Sequence, residues 1–253
     1  MRATEFEFRY RSLIILAIYF IALSTYRFEH ENVVRYAIER IVGQGAPSAT
    51  LLAHLIFGVG AFLTFLAAGF RTWAAAYLQS NTVQDPAMHL DAIVADGPYR
   101  HLRNPLYLGA ILLAFGLALL TPWPGFLIVT MGFTIFFFRL TGLEESKLEA
   151  TLGESYREFC QRVPRLWPSL KARLPEGDVR PRWGQAILGE LHMWGFFAGM
   201  AAFAITLRPR VAWWIVGIAV ITYAMRSFVL STRRKNESKR RSSYRSSGGI
   251  ETS

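Results

Sequence analysis

Long apolar runs, separated by short polar breaks marked with proline and charge, organise this chain. Six stretches, at about 12–28, 51–70, 106–121, 124–140, 186–206 and 211–230, are each on the order of 16–21 residues long. That is the length an α-helix needs to cross a bilayer. The pattern predicts an all-α fold, a polytopic transmembrane helical bundle of about six spans. Thr121-Pro122-Trp123-Pro124 sits between the third and fourth runs and predicts a tight turn with an interfacial tryptophan, so these two form an antiparallel hairpin. The first run follows Arg9 and Arg11, and Ser24 to Phe28 offers no small-x-small cleavage site, so it reads as an uncleaved span. After the fourth run the periodicity changes. Leu148, Leu152, Tyr156 and Phe159 recur at helical spacing in a charged stretch, which predicts an amphipathic helix leaving the membrane with a break at Gly153.

Composition agrees. Of 253 residues, 52% are hydrophobic and 14% aromatic, too apolar for a soluble domain of this length. The formal net charge of +10 would suggest nucleic acid on a soluble protein. Here its distribution gives topology instead. With six spans, the basic residues of the N-terminus, of the loop ending in Arg100 and Arg103, of the segment 147–182 and of the tail all fall on one side. On the other side Arg27, Arg35 and Arg40 are offset by Glu29, Glu31 and Glu39, and Arg208 and Arg210 are the remaining basic residues. The positive-inside rule places both termini and both motif loops in the cytoplasm, most simply in the cell (inner) membrane, with no nucleic-acid partner. Cys160 is the only cysteine, which excludes an intrachain disulfide, and the five histidines show no ligand spacing, so no metal site is expected. The organisation expected is an N-terminal span and loop (1–50), a core (51–170), a C-terminal transmembrane hairpin (171–232) and a basic disordered tail (233–253).

Three polar constellations interrupt the apolar pattern. The first is Gly97-Pro98-Tyr99-Arg100-His101-Leu102-Arg103-Asn104-Pro105-Leu106-Tyr107-Leu108-Gly109, which joins a basic, aromatic turn to the start of the third span. Pro105 suits a first helical turn and Asn104 an N-cap, and the helix N-terminus flanked by Arg100 and Arg103 suits a carboxylate or phosphate. The second is Glu144-Glu145 at the end of the fourth span. Paired carboxylates there ask for a cation, and Arg139 one turn earlier is one candidate, a cationic ligand another. The third is Arg162-Val163-Pro164-Arg165-Leu166-Trp167-Pro168, a segment returning to the interface where it can roof a pocket. Glu190 and Arg226 are ionisable residues inside apolar runs at equal distance from the turn near residue 208, so they are expected to pair or to snorkel to the cytoplasmic edge, with a substrate contact as the functional alternative.

In order and spacing these constellations resemble the isoprenylcysteine carboxyl methyltransferase and phospholipid N-methyltransferase superfamily of integral membrane methyltransferases. The superfamily pattern is Gly-x-Tyr-x-x-x-Arg-His-Pro-x-Tyr-x-Gly, a helical hairpin, Glu-Glu-x-x-Leu with a following Gly-x-x-Tyr, and Val-Pro-x-x-x-Pro. This chain has Gly97, Tyr99, Arg103, Pro105, Tyr107 and Gly109, then Glu144, Glu145, Leu148, Gly153 and Tyr156, then Val163, Pro164 and Pro168, preceded by Arg71-Thr72-Trp73-Ala74. It departs at Asn104, which stands at the superfamily's histidine position and cannot titrate near neutral pH. It departs again in the added hairpin of 186–230.

The resemblance implies a cytosolic pocket for S-adenosylmethionine and a membrane lipid or lipidated substrate as acceptor. It implies cofactor contacts at Asp91, Ala92, Ile93, Val94, Tyr99, Arg103, Asn104, Pro105, Leu106, Tyr107 and Glu144 or Glu145, with Arg139 and Glu145 as the catalytic candidates. A carboxylate acceptor needs no deprotonation at neutral pH, whereas a protonated amine does, and the acidic pair is the nearby base. Two alternatives belong to other classes: an NADPH-dependent reductase of isoprenoid or steroid double bonds, which the acidic pair disfavours, and a non-catalytic membrane scaffold or transporter.

Overall fold

The computed structural model describes residues 2–43, 45–78 and 95–211, with 213–215, 217, 218, 220–222, 224 and 225. Among the described residues there is no strand. The helices are α1 Glu5–Arg9, α2 Arg11–Ser24, α3 Val33–Val42, α4 Ala49–Tyr77, α5 Pro105–Ala118, α6 Trp123–Leu152, α7 Glu154–Arg162, α8 Trp183–Gly189 and α9 Leu191–Thr206. Two 3₁₀ turns, Thr25–Arg27 and Gly97–Arg100, complete the list, and a short apolar helix, Pro209–Thr222, follows α9. The basic tail and Arg226 lie outside the described residues.

Most of each described apolar run is helical, but the helix lengths differ. With 29 and 30 residues, α4 and α6 are each long and apolar enough to cross a membrane, and α8 with α9 adds a third crossing if the pair is taken together across its 58° bend. That is fewer than the six spans hydropathy predicts. In contrast, α2 and α5 have 14 residues each, about 21 Å of helix against a hydrocarbon layer of about 30 Å. Local chemistry cuts them short. Pro105 fixes the start of α5, the turn Leu119–Pro122 ends it, and α2 gives way at Ser24 to a 3₁₀ turn.

Large side chains face outward on the two long helices. Leu51, Leu55, Val59, Phe62 and Phe65 form an exposed stripe on α4, and Leu127, Met131, Ile135 and Phe138 form another on α6, at spacings of three and four residues. Small residues face inward, and this inverted arrangement is that of an integral membrane protein, whose helices associate by close packing rather than by hydrophobic burial. Where α4 meets α5, a Cβ added at Gly116 would stand 2.8 Å from the Gly60 carbonyl oxygen and 2.7 Å from Thr64 Cγ2. One added at Gly109 would stand 3.0 Å from the Ala67 carbonyl oxygen and 2.5 Å from Arg71 Cγ. On its other side α4 carries α9, with the Phe203 ring edge-on to Phe57 at 4.7 Å between centroids and Trp194 Nε1 donating to Thr72 Oγ1 at 3.0 Å.

Two elements lacked any expectation from hydropathy. Helix α3 buries Val34 and Ile38 against Phe57 and Ala61, and Asn32 caps it by accepting from the Arg35 N–H at 2.9 Å. Helix α1 begins with a reciprocal cap in which Thr4 Oγ1 accepts from the Glu7 N–H while the Thr4 N–H donates to Glu7 Oε2. Glu7 then grips Arg139 of α6 through Nε at 3.1 Å and Nη2 at 2.8 Å, and the Ala3 N–H donates to the Arg139 carbonyl at 2.9 Å. The Arg139 guanidinium, followed by the Thr4 N–H, lowers the Glu7 carboxyl from 4.5 to about 2.

These contacts make two predictions. Gly116→Val should destabilise the detergent-purified protein by about 1–3 kcal/mol, because neither the Gly60 backbone nor Thr64 has room to yield. Gly58→Ala, whose Cβ meets nothing within 4 Å, should leave thermal unfolding unchanged. For Glu7, a folded-state pKa below the unfolded one means that its contribution is complete above pH 4.5 and is lost as the pH falls toward 2. Glu7→Gln should therefore lower Tm at neutral pH, and its deficit against wild type should shrink only across that acidic window.

Candidate active site

The site forms where the start of α5 meets the cytosol-directed end of α6 expected from charge. Gly97 has a φ of +58°, and the Tyr77 ring at the end of α4 lies against its Cα where a side chain would stand, so glycine suits the turn on both counts. That turn directs Pro98 and Tyr99 inward, both buried. Burial, then the Glu144 carboxylate, pushes the Tyr99 hydroxyl well above its ordinary range, so it remains a proton donor.

The segment after α7 is a strap along this turn. Arg103 N–H donates to the Pro164 carbonyl at 2.9 Å, Ser169 N–H to the His101 carbonyl at 3.0 Å, and Arg173 N–H to the Arg100 carbonyl at 2.9 Å. Arg100 Nε donates to the Leu174 carbonyl at 2.9 Å, and the buried Asp96 accepts from the N–H groups of Gly177 at 2.6 Å and Val179 at 3.2 Å. The roofing role expected of the Val-Pro segment therefore has a physical basis in paired backbone groups. The break at Gly153, at a φ of +59°, falls where expected, and Tyr156, Phe159 and Val163 form a small core with Leu148 and Leu152.

Side-chain direction brings the polar groups together. Side chains tilt toward the N-terminus of their own helix, so Tyr107 on α5 and Glu144 on the antiparallel α6 lean toward each other. Tyr107 Oη donates to Glu144 Oε1 at 2.6 Å. Next to it, Glu145 Oε1 accepts from Asn104 Nδ2 at 3.0 Å and lies 3.3 Å from Arg103 Nη1, while Oε2 lies 3.0 Å from Arg165 Nη2. Arg103 Nη1 also donates to Cys160 Sγ at 2.8 Å, and Asn104 Nδ2 to the Arg165 carbonyl at 3.2 Å. A cavity of about 500 Å³ opens beside this cluster, lined by Arg2, Arg103, Gly142, Glu145, Ser146, Glu149, Tyr156, Arg157, Cys160, Gln161 and Arg165. Its size is that of a small-molecule site. Arg103 Nε and Arg165 Nε are buried at its wall without a hydrogen-bond partner among the described residues.

Of the residues expected at the site, Tyr99, Arg103, Asn104, Tyr107, Glu144 and Glu145 are brought together. Pro105 is buried as the first residue of α5, and the Leu106 carbonyl accepts from Arg71 Nη1 at 3.5 Å. Asp91, Ala92, Ile93 and Val94 lie outside the described residues. Asn104 occupies the cap position, but its side chain makes no cap hydrogen bond and is spent on Glu145 instead. Arg139 is not the cation of the acidic pair: it faces Glu7, while Arg103 and Arg165 flank Glu145. Arg165 was visible in sequence only as part of the Val-Pro segment, and its cue was position directly after that proline.

A second ion pair lies deeper in the fold. Both oxygens of Glu190 face Arg71, Oε2 at 2.7 Å from Nε and Oε1 at 3.1 Å from Nη2, with the Glu190 side chain 2% exposed. The packing of α9 along α4 leads to this contact, while Arg226, the partner expected from equal distance to the turn, lies outside the described residues.

Residues 55–155 match the family model described as phospholipid methyltransferase. No curated protein and no solved structure matches the chain. The matched segment runs from early α4 through α6 to the start of α7 and contains the Tyr107–Glu144 contact and Glu145. The match makes residues 55–155 similar to phospholipid methyltransferases, in agreement with the superfamily that the chain's motifs resemble.

Proposed function

We propose that this protein transfers a methyl group from S-adenosylmethionine to a lipid-like acceptor bearing a carboxylate or an amine. The observation that carries the reading is the convergence of Tyr107 with Glu144, and of Arg103 and Asn104 with Glu145, inside the segment that matches a methyltransferase family, with Arg165 joining Glu145 from just beyond it.

The residues fit such a donor. Carboxylates suit its ammonium and ribose hydroxyls, guanidinium groups with unpartnered buried Nε atoms suit its carboxylate, and Tyr156 on the cavity wall offers an aromatic edge or face to a cation or a base. When bound, the donor supplies an electrophilic methyl, so that an S–CH₃ bond breaks as the acceptor O–CH₃ or N–CH₃ bond forms and a thioether leaves. The chain's own part is to align, shield and, for one acceptor class, take a proton. Tyr107 holds Glu144 in a fixed orientation, and Arg103 and Arg165 hold Glu145. The strap 163–182 covers the turn that carries Tyr99 and excludes water there. With a carboxylate acceptor no proton moves, whereas with an amine Glu144 or Glu145 accepts it. Asn104 takes no part in proton transfer.

The same reading places the site and both termini on the cytoplasmic side of the cell membrane, with the spans counted in the sequence completed by the shorter helices. It treats 51–170 as the catalytic core and 171–232 as an added hairpin. A reductase using NADPH is less well served, because Glu145 lies between Arg103 and Arg165 and offsets the charge that a second phosphate group would need.

Purified protein incubated with methyl-labelled S-adenosylmethionine and total membrane lipid should yield a labelled lipid whose identification names the acceptor. Absence of product together with tight NADPH binding would transfer the assignment to the reductase class. Tyr107→Phe and Glu144→Gln should each weaken donor binding at least about tenfold, as loss of a charge-assisted hydrogen bond of roughly 1.5–3 kcal/mol implies. Glu145→Ala should also cost stability, on the order of 3 kcal/mol, because it strands two guanidinium groups. Unaltered donor affinity in all three variants would remove this site from the reaction.

A further inference from the structure

Glu190 lies outside the matched segment 55–155 and inside an apolar stretch, Ile187-Leu188-Gly189-Glu190-Leu191. It is the residue at which the C-terminal pair bends: it ends α8, precedes α9, and the two helices diverge by 58° there. Its backbone remains satisfied, with its N–H donating to the Ala186 carbonyl at 2.9 Å and its carbonyl accepting from the Met193 N–H at 2.8 Å. Glu190 thus sits at the break with its own backbone groups paired and its carboxylate aimed at α4.

What the carboxylate meets is Arg71, in a two-pronged contact through Nε and Nη2. A planar guanidinium held at two points has little freedom left. Its third nitrogen, Nη1, reaches the Leu106 carbonyl at 3.5 Å in the first turn of α5. Its stem lies across the same turn one step on, where a Cβ at Gly109 would come within 2.5 Å of Arg71 Cγ. Between these two contacts lies Tyr107, the partner of Glu144. The buried Tyr99 hydroxyl lies within electrostatic reach of Glu144, Arg71 and Glu190 together. Nothing on this path is loose: α8 seats Ala186 against Ala75 and Ala76, and the Arg182 N–H donates to the Ala76 carbonyl at 2.8 Å.

We infer that Glu190 is a positioning residue for the methyl-transfer site, acting through Arg71 to hold the first turn of α5, and with it Tyr107, against α6. This rests on the reading of the site as a methyltransferase centre. It makes the C-terminal hairpin part of the machinery rather than an appendage to the matched domain. A buried ion pair is a poor device for stability alone, since apolar residues of similar size commonly serve as well. The particular service of this pair is the third contact, to Leu106, which an apolar pair cannot make.

The test uses the full chain in detergent, with three readouts: Tm, the dissociation constant of labelled S-adenosylmethionine, and hydrogen exchange of a peptide covering 105–112. The double variant Arg71→Met with Glu190→Met removes both charges and keeps the bulk. It should retain Tm to within a few degrees, raise the donor dissociation constant about tenfold and accelerate exchange in that peptide. Arg71→Lys, which keeps the charge opposite Glu190 but loses the fork, should keep Tm and share the binding defect. Wild-type affinity and wild-type exchange in a stable double variant would overturn the inference. Should the double variant fail to fold, Arg71→Lys decides by the same two readouts. If wild-type protein binds no donor at all, the methyltransferase reading fails, while the exchange rates still show whether Glu190 holds the turn.

Discussion

Everything at the candidate site depends on one carboxylate, Glu145, being held between two guanidinium groups and an amide. Arg103 and Asn104 come from the turn before α5, Arg165 from the strap, and Glu145 itself from α6. Three stretches of chain far apart in sequence are thereby tied at a single point. Each guanidinium alone would be costly to bury, and so would the carboxylate; together they offset one another and leave one positive charge in excess. The cavity beside them is consequently polar and charged on its walls while remaining next to a lipid-facing helix, which is the combination that a water-soluble donor and a membrane-dissolved acceptor require.

The shortness of α5 makes this possible. At about 21 Å it stops well before α6 does. The chain from 95 to 104 then runs as turn and loop beside the end of α6. Irregular backbone near membrane depth survives only where its polar groups are satisfied or line a cavity. Here the strap satisfies them, through the carbonyls of Arg100 and His101, the N–H of Arg103 and the side chain of Asp96. A full-length α5 would fill the space in which Arg103, Asn104 and Glu145 now meet.

The sequence disclosed the parts of this arrangement that rest on local chemistry. Pro105 marks a helix start, Gly153 with positive φ marks a break, and the period of Leu148, Leu152, Tyr156 and Phe159 marks a buried face, all legible without tertiary contact. Motif order was enough to gather Tyr99, Arg103, Asn104, Tyr107 and the acidic pair. What stayed hidden was partner choice. Arg139 sits one turn from Glu144 along the helix, yet the axis separates them, and Glu7, 132 residues away in sequence, takes it. The contact of Glu190 with Arg71, 119 residues away in sequence, likewise follows from α9 lying along α4. Ion pairs between helices follow the packing of small residues, such as Gly109 and Gly116 on α5, and that packing is not encoded in hydropathy. Helix length was the other gap, because a window of apolar residues counts the turn 119–122 and its flanks as span.

Asn104, the chain's departure from the superfamily histidine, gains a rationale from the same cluster. Its Nδ2 faces two acceptors at once, Glu145 Oε1 at 3.0 Å and the Arg165 carbonyl at 3.2 Å. An amide nitrogen carries two N–H groups on one atom and can serve both. A neutral imidazole carries one N–H in all, and a second donor appears only on the opposite ring nitrogen after protonation. With histidine here, one of the two acceptors would lose its partner near neutral pH, and the tie between strap and acidic pair would vary with protonation. Asparagine makes that tie independent of pH. It also leaves Glu144 and Glu145 as the groups through which a proton from an amine acceptor would have to leave.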